Sequence, residues 1–255
     1  MPLSALSLEK RGAIAYLALN RPERQNAIDA RTLGELADCC RSLAADDEVR
    51  VVVLNAQGPV FSSGWDRTVP AGESLRAADV PGDVFACLAE LPRPVVCALV
   101  GDAFSAGLEL ALACDIRIAA EGARFGFPET ALGLIPMGGG SQRLPRLVGR
   151  GKALEMILSA EPIDAQEALA IGLVSAVVPG DALIAEAEAV AGRIAERGPL
   201  AVRYAKEAIA RGLEMTLEQA LRYETDLTVI LQTTEDRAEG VRAFLEKRKP
   251  EFRGK

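Results

Sequence analysis

Among its 255 residues the chain has no histidine, which excludes Ser-His-Asp and Cys-His triads and leaves proton transfer near neutral pH to carboxylates, or less often to Lys, Tyr or Cys. A net charge of −7 argues against a general nucleic-acid binder, and five cysteines with no CxxC spacing, with histidine missing, argue against the common zinc sites. No apolar run reaches membrane-spanning length and residues 1–11 carry no apolar signal core, so the sequence predicts a soluble, cytoplasmic protein with no membrane partner.

Ser4 to Leu19 reads as two strands joined around Lys10-Arg11-Gly12. Leu6 and Leu8 alternate with polar residues in the first, whereas both faces of the second are apolar, which predicts deeper burial. Asp29 is placed to cap a helix running to about Ala45, with Leu33, Leu36, Ala37 and Cys40 at helical spacing. Val51 to Leu54 is a buried strand, Gly58-Pro59 and Ser62-Ser63-Gly64 break the chain, and a helix is expected around Asp83 to Glu90. A strand from Pro94 to Val100, a helix from Ser105 to Ala113 and a strand from Ile116 to Ala119 continue an α/β rhythm with mainly parallel pairing. Cys87, Cys97 and Cys114 lie in apolar stretches and read as reduced core residues.

From Gly138 onward helical patterns dominate: Arg150 to Ser159, Ala165 to Ile171, Asp181 to Arg197, Leu200 to Arg211, Leu217 to Leu231 and Glu235 to Glu246. Ser175 to Val178 is the one further strand expected there. The division predicted is an α/β core over residues 1–197 and a helical region over 198–255.

Three segments carry candidate chemistry. Val60 to Asp66 is a strand exit into a glycine turn, and Gly101 to Glu109 places small residues at a helix start with an acid in its first turn. Small residues there let a ligand approach exposed amides, and the helix dipole favours negative charge, which is half of an oxyanion hole. Glu129 sits among apolar and turn residues, where burial would raise its pKa into the acid/base range. Taken singly, each has a plainer reading: Glu109 suits any helix first turn, Glu129 is a loop carboxylate, and the glycines punctuate loops. The residues alone indicate an α/β protein suited to carboxylate chemistry.

The string Leu19-Asn20-Arg21-Pro22-Glu23-Arg24-Gln25-Asn26-Ala27-Ile28 resembles the opening motif of the crotonase (enoyl-CoA hydratase/isomerase) family. Phe61 to Asp66, Leu110 to Ala119, Phe125 to Gly133, Gly139 to Leu144 and Glu235 to Arg248 resemble that family's later motifs, in order and across nearly the whole chain. The resemblance implies an α/β fold, a crotonase-like spiral of ββα units with a helical C-terminal region that mediates trimers, often paired into hexamers. It implies an acyl-CoA substrate, with coenzyme A carried as part of that substrate and no separate cofactor or metal. Glu109 and Glu129 match the two catalytic glutamates of enoyl-CoA hydratases. The backbone amides of Trp65 and Ala106 match the oxyanion hole. Gly64, Asp66, Gly107, Phe127 and Met137 fall beside the acyl site, Arg24 and Ser63 near the adenine-ribose end of the coenzyme, and Phe244 and Lys247 where a neighbouring subunit would be reached.

The pair of glutamates favours water addition to an enoyl-CoA. Enoyl-CoA isomerisation or acyl-CoA hydrolysis on the same frame is the nearest alternative, since isomerases of the family commonly work with one glutamate. A non-catalytic RNA-binding relative is disfavoured by the acidic balance and the intact pair. Ser105-Ala106-Gly107 stands where many hydratases have three glycines, and Trp65 where small residues are common. The indole implies a pocket shaped for a short or flat acyl group. Phe127 and Met137 likewise replace smaller or polar residues.

Overall fold

The computed structural model describes residues 3–66 and 85–255. The opening hairpin forms as its pattern requires: β1 (Leu6–Arg11) pairs antiparallel with β2 (Ile14–Leu19), Leu6 facing Leu19. Asp29 caps α1 (Ala30–Ala45), its carboxylate accepting from the Thr32 amide at 2.8 Å. The chain then alternates through β3 (Val51–Ala56), α2 (Ala86–Ala89), β4 (Val95–Leu99), β5 (Ala103–Phe104), α3 (Ala106–Leu112), β6 (Ile116–Ala120) and β7 (Arg124–Gly126). Residues 83 and 84 of the helix expected around α2 lie outside the described residues.

The larger sheet runs β1-β2-β3-β4-β6-β9, where β9 is Ala176–Val178, with every pair after the first parallel. Its strands are apolar on both faces because both faces are covered. Val51, Val53, Val96, Ala98 and Ile118 pack against Leu183, Ala187 and Ala191 of a single helix, α7 (Leu183–Ala195). Val52, Leu54, Val95, Cys97 and Leu99, one residue out of phase, join the main core with α1 and α3.

A smaller layer repeats beside it. After β2 the chain reaches Ile28, which bridges Trp65; after β3 it reaches Ser62, which bridges Ala103; β5 follows β4, and β7 follows β6. β5 pairs parallel with β7, and β7 antiparallel with β8 (Ile163–Asp164). Each turn of chain therefore lays one strand in the large sheet and one extended piece in the small layer, with a helix closing most turns. This is the spiral of ββα units that the resemblance implies.

Two kinds of element escape the sequence patterns. β5, β7 and β8 are two or three residues long, too short for a period of two to show. Helix α4 (Gly140–Val148) begins on a glycine run and contains Pro145, both ordinarily marks of a loop. Beyond it, α5 (Arg150–Ser159), α6 (Ala165–Ala170) and β9 (Ala176–Val178) complete the core around α7. Helices α8 (Pro199–Gly212), α9 (Leu217–Gln232) and α10 (Glu235–Leu245) follow, α8 packing on α9 and α9 on α10. The tail returns to them: the Arg253 and Gly254 amides donate to buried Asp236 at 2.6 and 2.8 Å, and Arg50 reaches the Phe252 carbonyl at 2.6 Å.

Candidate active site

The turn after β3 is fixed from the opening motif. Buried Asn26 donates through Nδ2 to the carbonyls of Gln57 and Val60 at 2.9 and 2.8 Å, and its Oδ1 accepts from the Arg21 amide at 2.8 Å. Ser62 Oγ donates to the Asn26 carbonyl at 2.8 Å and accepts from the Gly64 amide at 3.1 Å. Asp66, its side chain almost wholly buried, pairs with Arg21 at 3.2 Å and with Arg24 at 3.3 Å. The amide of Ile28 donates to the Gly64 carbonyl, and that of Asp66 to the Ile28 carbonyl, both at 2.8 Å. In a strand bonded this way, the intervening residue turns its own N–H to the opposite edge. The Trp65 amide therefore faces the side on which β5 and the start of α3 lie.

Ala106 opens α3, so its N–H has no acceptor within the helix. Ser105 before it adopts φ 53°, ψ −129°, a region L-residues rarely enter, and is held there by its amide donating to the Gly126 carbonyl at 3.0 Å. The two segments meet at glycines and serines. A Cβ on Gly64 would overlap the Cβ of Ser105, and one on Gly107 would lie 2.5 Å from the Cβ of Ser62. This close contact sets the segments that carry Trp65 and Ala106 side by side.

Glu109 is completely buried in the first turn of α3. Its Oε1 accepts from the amides of Gly138 and Gly140 at 2.7 and 2.8 Å, while Oε2 has no hydrogen-bond partner among the described residues. Burial pushes this carboxyl up to about 7; the neighbouring Glu129 charge adds to that, and the two amides and Arg143 pull the other way. Glu129 is also buried, at 3 % exposure, which rules out the surface-carboxylate reading. Its carbonyl anchors the turn by accepting from Leu132 and Leu134, both at 2.9 Å, and neither carboxylate oxygen has a partner among the described residues.

Aromatic rings close the space around the pair. Trp65 stacks on Phe85 with centroids 6.4 Å apart and planes 21° from parallel. A Cβ on Gly138 would lie 2.8 Å from the Phe85 ring and 2.8 Å from Glu109 Oε2, and one on Gly140 would lie 2.7 Å from the Phe127 ring. Trp65, Phe85, Phe127 and Glu109 are therefore neighbours about the glycine run, with Met137 half-buried just before it. Phe85 sits in no motif, and the sequence patterns mark the glycines but not the hydrogen bonds their amides make to Glu109.

The other expected contacts lie further out. Arg24 is largely exposed beside Asp66, and half-buried Ser63 donates its amide to the Gln25 carbonyl at 2.9 Å. Phe244 is 82 % exposed on α10, and Lys247 follows that helix with φ 54°. These two stand on the helical C-terminal region, and α10 packs on α9.

Residues 9–255 match the family model described as enoyl-CoA hydratase/isomerase. The chain is 39% identical over 255 residues to a 2,3-dehydroadipyl-CoA hydratase of Escherichia coli, covering 99% of this chain and 100% of the relative. It is 39% identical over 257 residues to a crotonyl-CoA hydratase of Syntrophomonas wolfei, covering 99% of each. A crystal structure of an enoyl-CoA hydratase from Bacillus anthracis superposes with a TM-score of 0.95 at 38% identity, covering 99% of this chain and 100% of that one.

Proposed function

The chain belongs to the enoyl-CoA hydratase/isomerase family, and from that premise we propose that this enzyme adds water across the 2,3 double bond of an enoyl-CoA thioester. The observation that carries the reading is the pair of buried carboxylates with unequal partners: among the described residues, two amides hold one oxygen of Glu109, and none reaches Glu129. Two donors orient the Glu109 carboxylate and favour its ionised form against the burial that opposes it, which supports Glu109 as the base; Glu129 is then the acid, as the resemblance implies. Glu109 takes a proton from water as the water oxygen bonds to C3. The π electrons pass to the thioester oxygen, where the Trp65 and Ala106 amides meet the developing charge, each contributing roughly 10²–10³ in rate. Glu129 delivers a proton to C2, and the proton held by Glu109 restores the pair for the next turnover.

The Trp65–Phe85 stack supports a short or flat acyl group, because two rings in that space remove volume. The names of the similar hydratases of crotonyl-CoA and 2,3-dehydroadipyl-CoA accord with a compact acyl chain. Arg24 and Ser63 would contact the coenzyme portion. Exposed Ile209, Leu213, Leu217 and Leu221 on α8 and α9 and the segment between them support residues 198–255 as the region of self-association, in a homotrimer or a dimer of trimers. Phe244 and Lys247 would then reach the ligand of a neighbouring subunit.

The test is loss of enoyl-thioester absorbance when the protein meets crotonyl-CoA. Hydration consumes the conjugated chromophore; release of free thiol instead would identify a hydrolase. The Glu109→Gln, Glu129→Gln double variant is expected to lose turnover and still bind the ester. Retained turnover would refute the assigned roles.

A further inference from the structure

The residue that fastens the Glu109 carboxylate to its amides lies outside the motif glutamates and the oxyanion segments. Oε1 of Glu109 depends on the Gly138 and Gly140 amides converging on one atom. That convergence requires the intervening Gly138–Gly139 peptide to keep its orientation. The Arg143 guanidinium holds this peptide, and the Arg143 backbone amide holds the next one, through the first hydrogen bond of α4. The guanidinium Nη1 donates to the Gly138 carbonyl at 3.1 Å, and the backbone amide donates to the Gly139 carbonyl at 2.8 Å. Gly139 itself has φ 104°, and a Cβ there would overlap Arg143 Nη1, so the glycine is what admits the guanidinium to the turn.

We propose that Arg143 is a positioning residue for this reaction, fastening the Gly138–Gly140 turn so that its two amides hold Glu109 in place. The proposal rests on the hydration reading for its effect on turnover and on geometry for its effect on Glu109. The guanidinium also acts on Glu109 through space. Among the described residues, the charged groups that bear on this carboxyl are Glu129, which raises its proton affinity, and Arg143, which lowers it. One side chain therefore orients the base and keeps it ionisable near neutrality. Lysine would preserve the charge and lose the planar fork that reaches the Gly138 carbonyl.

The experiment compares wild-type protein with Arg143→Gln and Arg143→Lys, each first shown to melt as a folded protein. With crotonyl-CoA, Arg143→Gln is expected to lower kcat by roughly 10–100-fold, the cost of misplacing a reacting group by about 1 Å, while KM stays near the wild-type value. The acidic limb of its kcat/KM profile should move up by about one pH unit. Arg143→Lys should restore the limb and only part of kcat. A second readout needs no turnover: in protein carrying 13C-carboxyl glutamate, the Glu109 resonance, assigned by its absence in Glu109→Gln, should titrate at higher pH in Arg143→Gln than in wild type. Wild-type protein that fails to hydrate crotonyl-CoA would defeat the functional reading and leave the carboxyl titration to decide Arg143. A Glu109 titration unmoved in Arg143→Gln, or a raised KM with kcat and the acidic limb unchanged, overturns the proposal.

Discussion

The Gly64 backbone meets the Ser105 side chain: a Cβ on Gly64 would overlap the Cβ of Ser105 and lie 3.0 Å from the Phe104 carbonyl oxygen. Each of the two residues immediately precedes a proposed oxyanion donor, Trp65 or Ala106, so this contact sets the gap between the two amides. Gly64 also has φ 100°, which alanine resists whatever the space. Gly64→Ala is expected to push the segments apart and lower kcat for crotonyl-CoA by about 10²-fold or more, the scale of losing one donor. Steady-state kinetics on a variant that still melts cooperatively is the check, and near-normal kcat would detach the hole from this contact.

Glu109 should also be a stability liability. Its folded-state pKa of about 7 stands above the ordinary glutamate value of 4.5, so between these two values the native state binds more protons than the unfolded chain. Stability from this group is therefore highest below the unfolded pKa and falls as pH rises through 7, with a full cost of about 3 kcal/mol above that. A glutamine can keep its Oε1 on the Gly138 and Gly140 amides and carries no charge. Glu109→Gln is expected to raise the melting temperature by several degrees at pH 8 and hardly at all near pH 4. Calorimetry at both values tests this; an equal effect at the two would remove ionisation as the cause.

What the sequence makes legible depends on the range of the signal. Val51–Leu54 announces a doubly covered strand because adjacent valines can serve two faces only if both are buried, and α7 on one side and the main core on the other bear that out. Asp29 and its helix are local and equally legible. Glu109 and Glu129 were marked by the motifs around them, while their burial comes from segments distant in the chain. Phe85 carries no pattern at all, since its place against Trp65 and Gly138 exists only once the spiral has closed. The glycine run was visible as punctuation. Its two roles, delivering amides to Glu109 and making room for the Arg143 guanidinium, are tertiary facts.

Two glycines in neighbouring helices should respond oppositely to the same methyl group. A Cβ on Gly140, in α4, would lie 2.7 Å from the Phe127 ring and 3.0 Å from Glu109 Oε1, whereas one on Gly151, in α5, would meet nothing within 4 Å. Gly140→Ala is expected to cut turnover at least about tenfold by displacing the donor to Glu109, and to destabilise by roughly 1–3 kcal/mol through overpacking. Gly151→Ala should leave turnover alone and add about 0.4–1 kcal/mol by restricting the unfolded chain. Denaturant titration and crotonyl-CoA kinetics on both variants separate the two effects, and similar behaviour of the pair would contradict the packing around Glu109.

The aromatic wall yields the last expectation. Phe85 is fully buried and stacked on Trp65, and its ring edges the same glycine that donates to Glu109. Removing either ring should enlarge the acyl space without touching the carboxylates or the backbone amides. The two variants should nevertheless differ. Trp65 is only partly buried and its amide serves independently of its indole, so Trp65→Ala is expected to widen the pocket at a modest cost in stability. Phe85→Ala leaves a cavity in the main core, with a loss of about 3–5 kcal/mol, so Phe85→Leu is the better probe there. In both, the ratio of kcat/KM for a long-chain enoyl-CoA to that for crotonyl-CoA should rise by about tenfold or more, since each methylene newly accommodated is worth about 1–3 kcal/mol. Wild-type protein that already prefers the long chain, or variants whose ratio does not move, would show that the stack does not bound the acyl group.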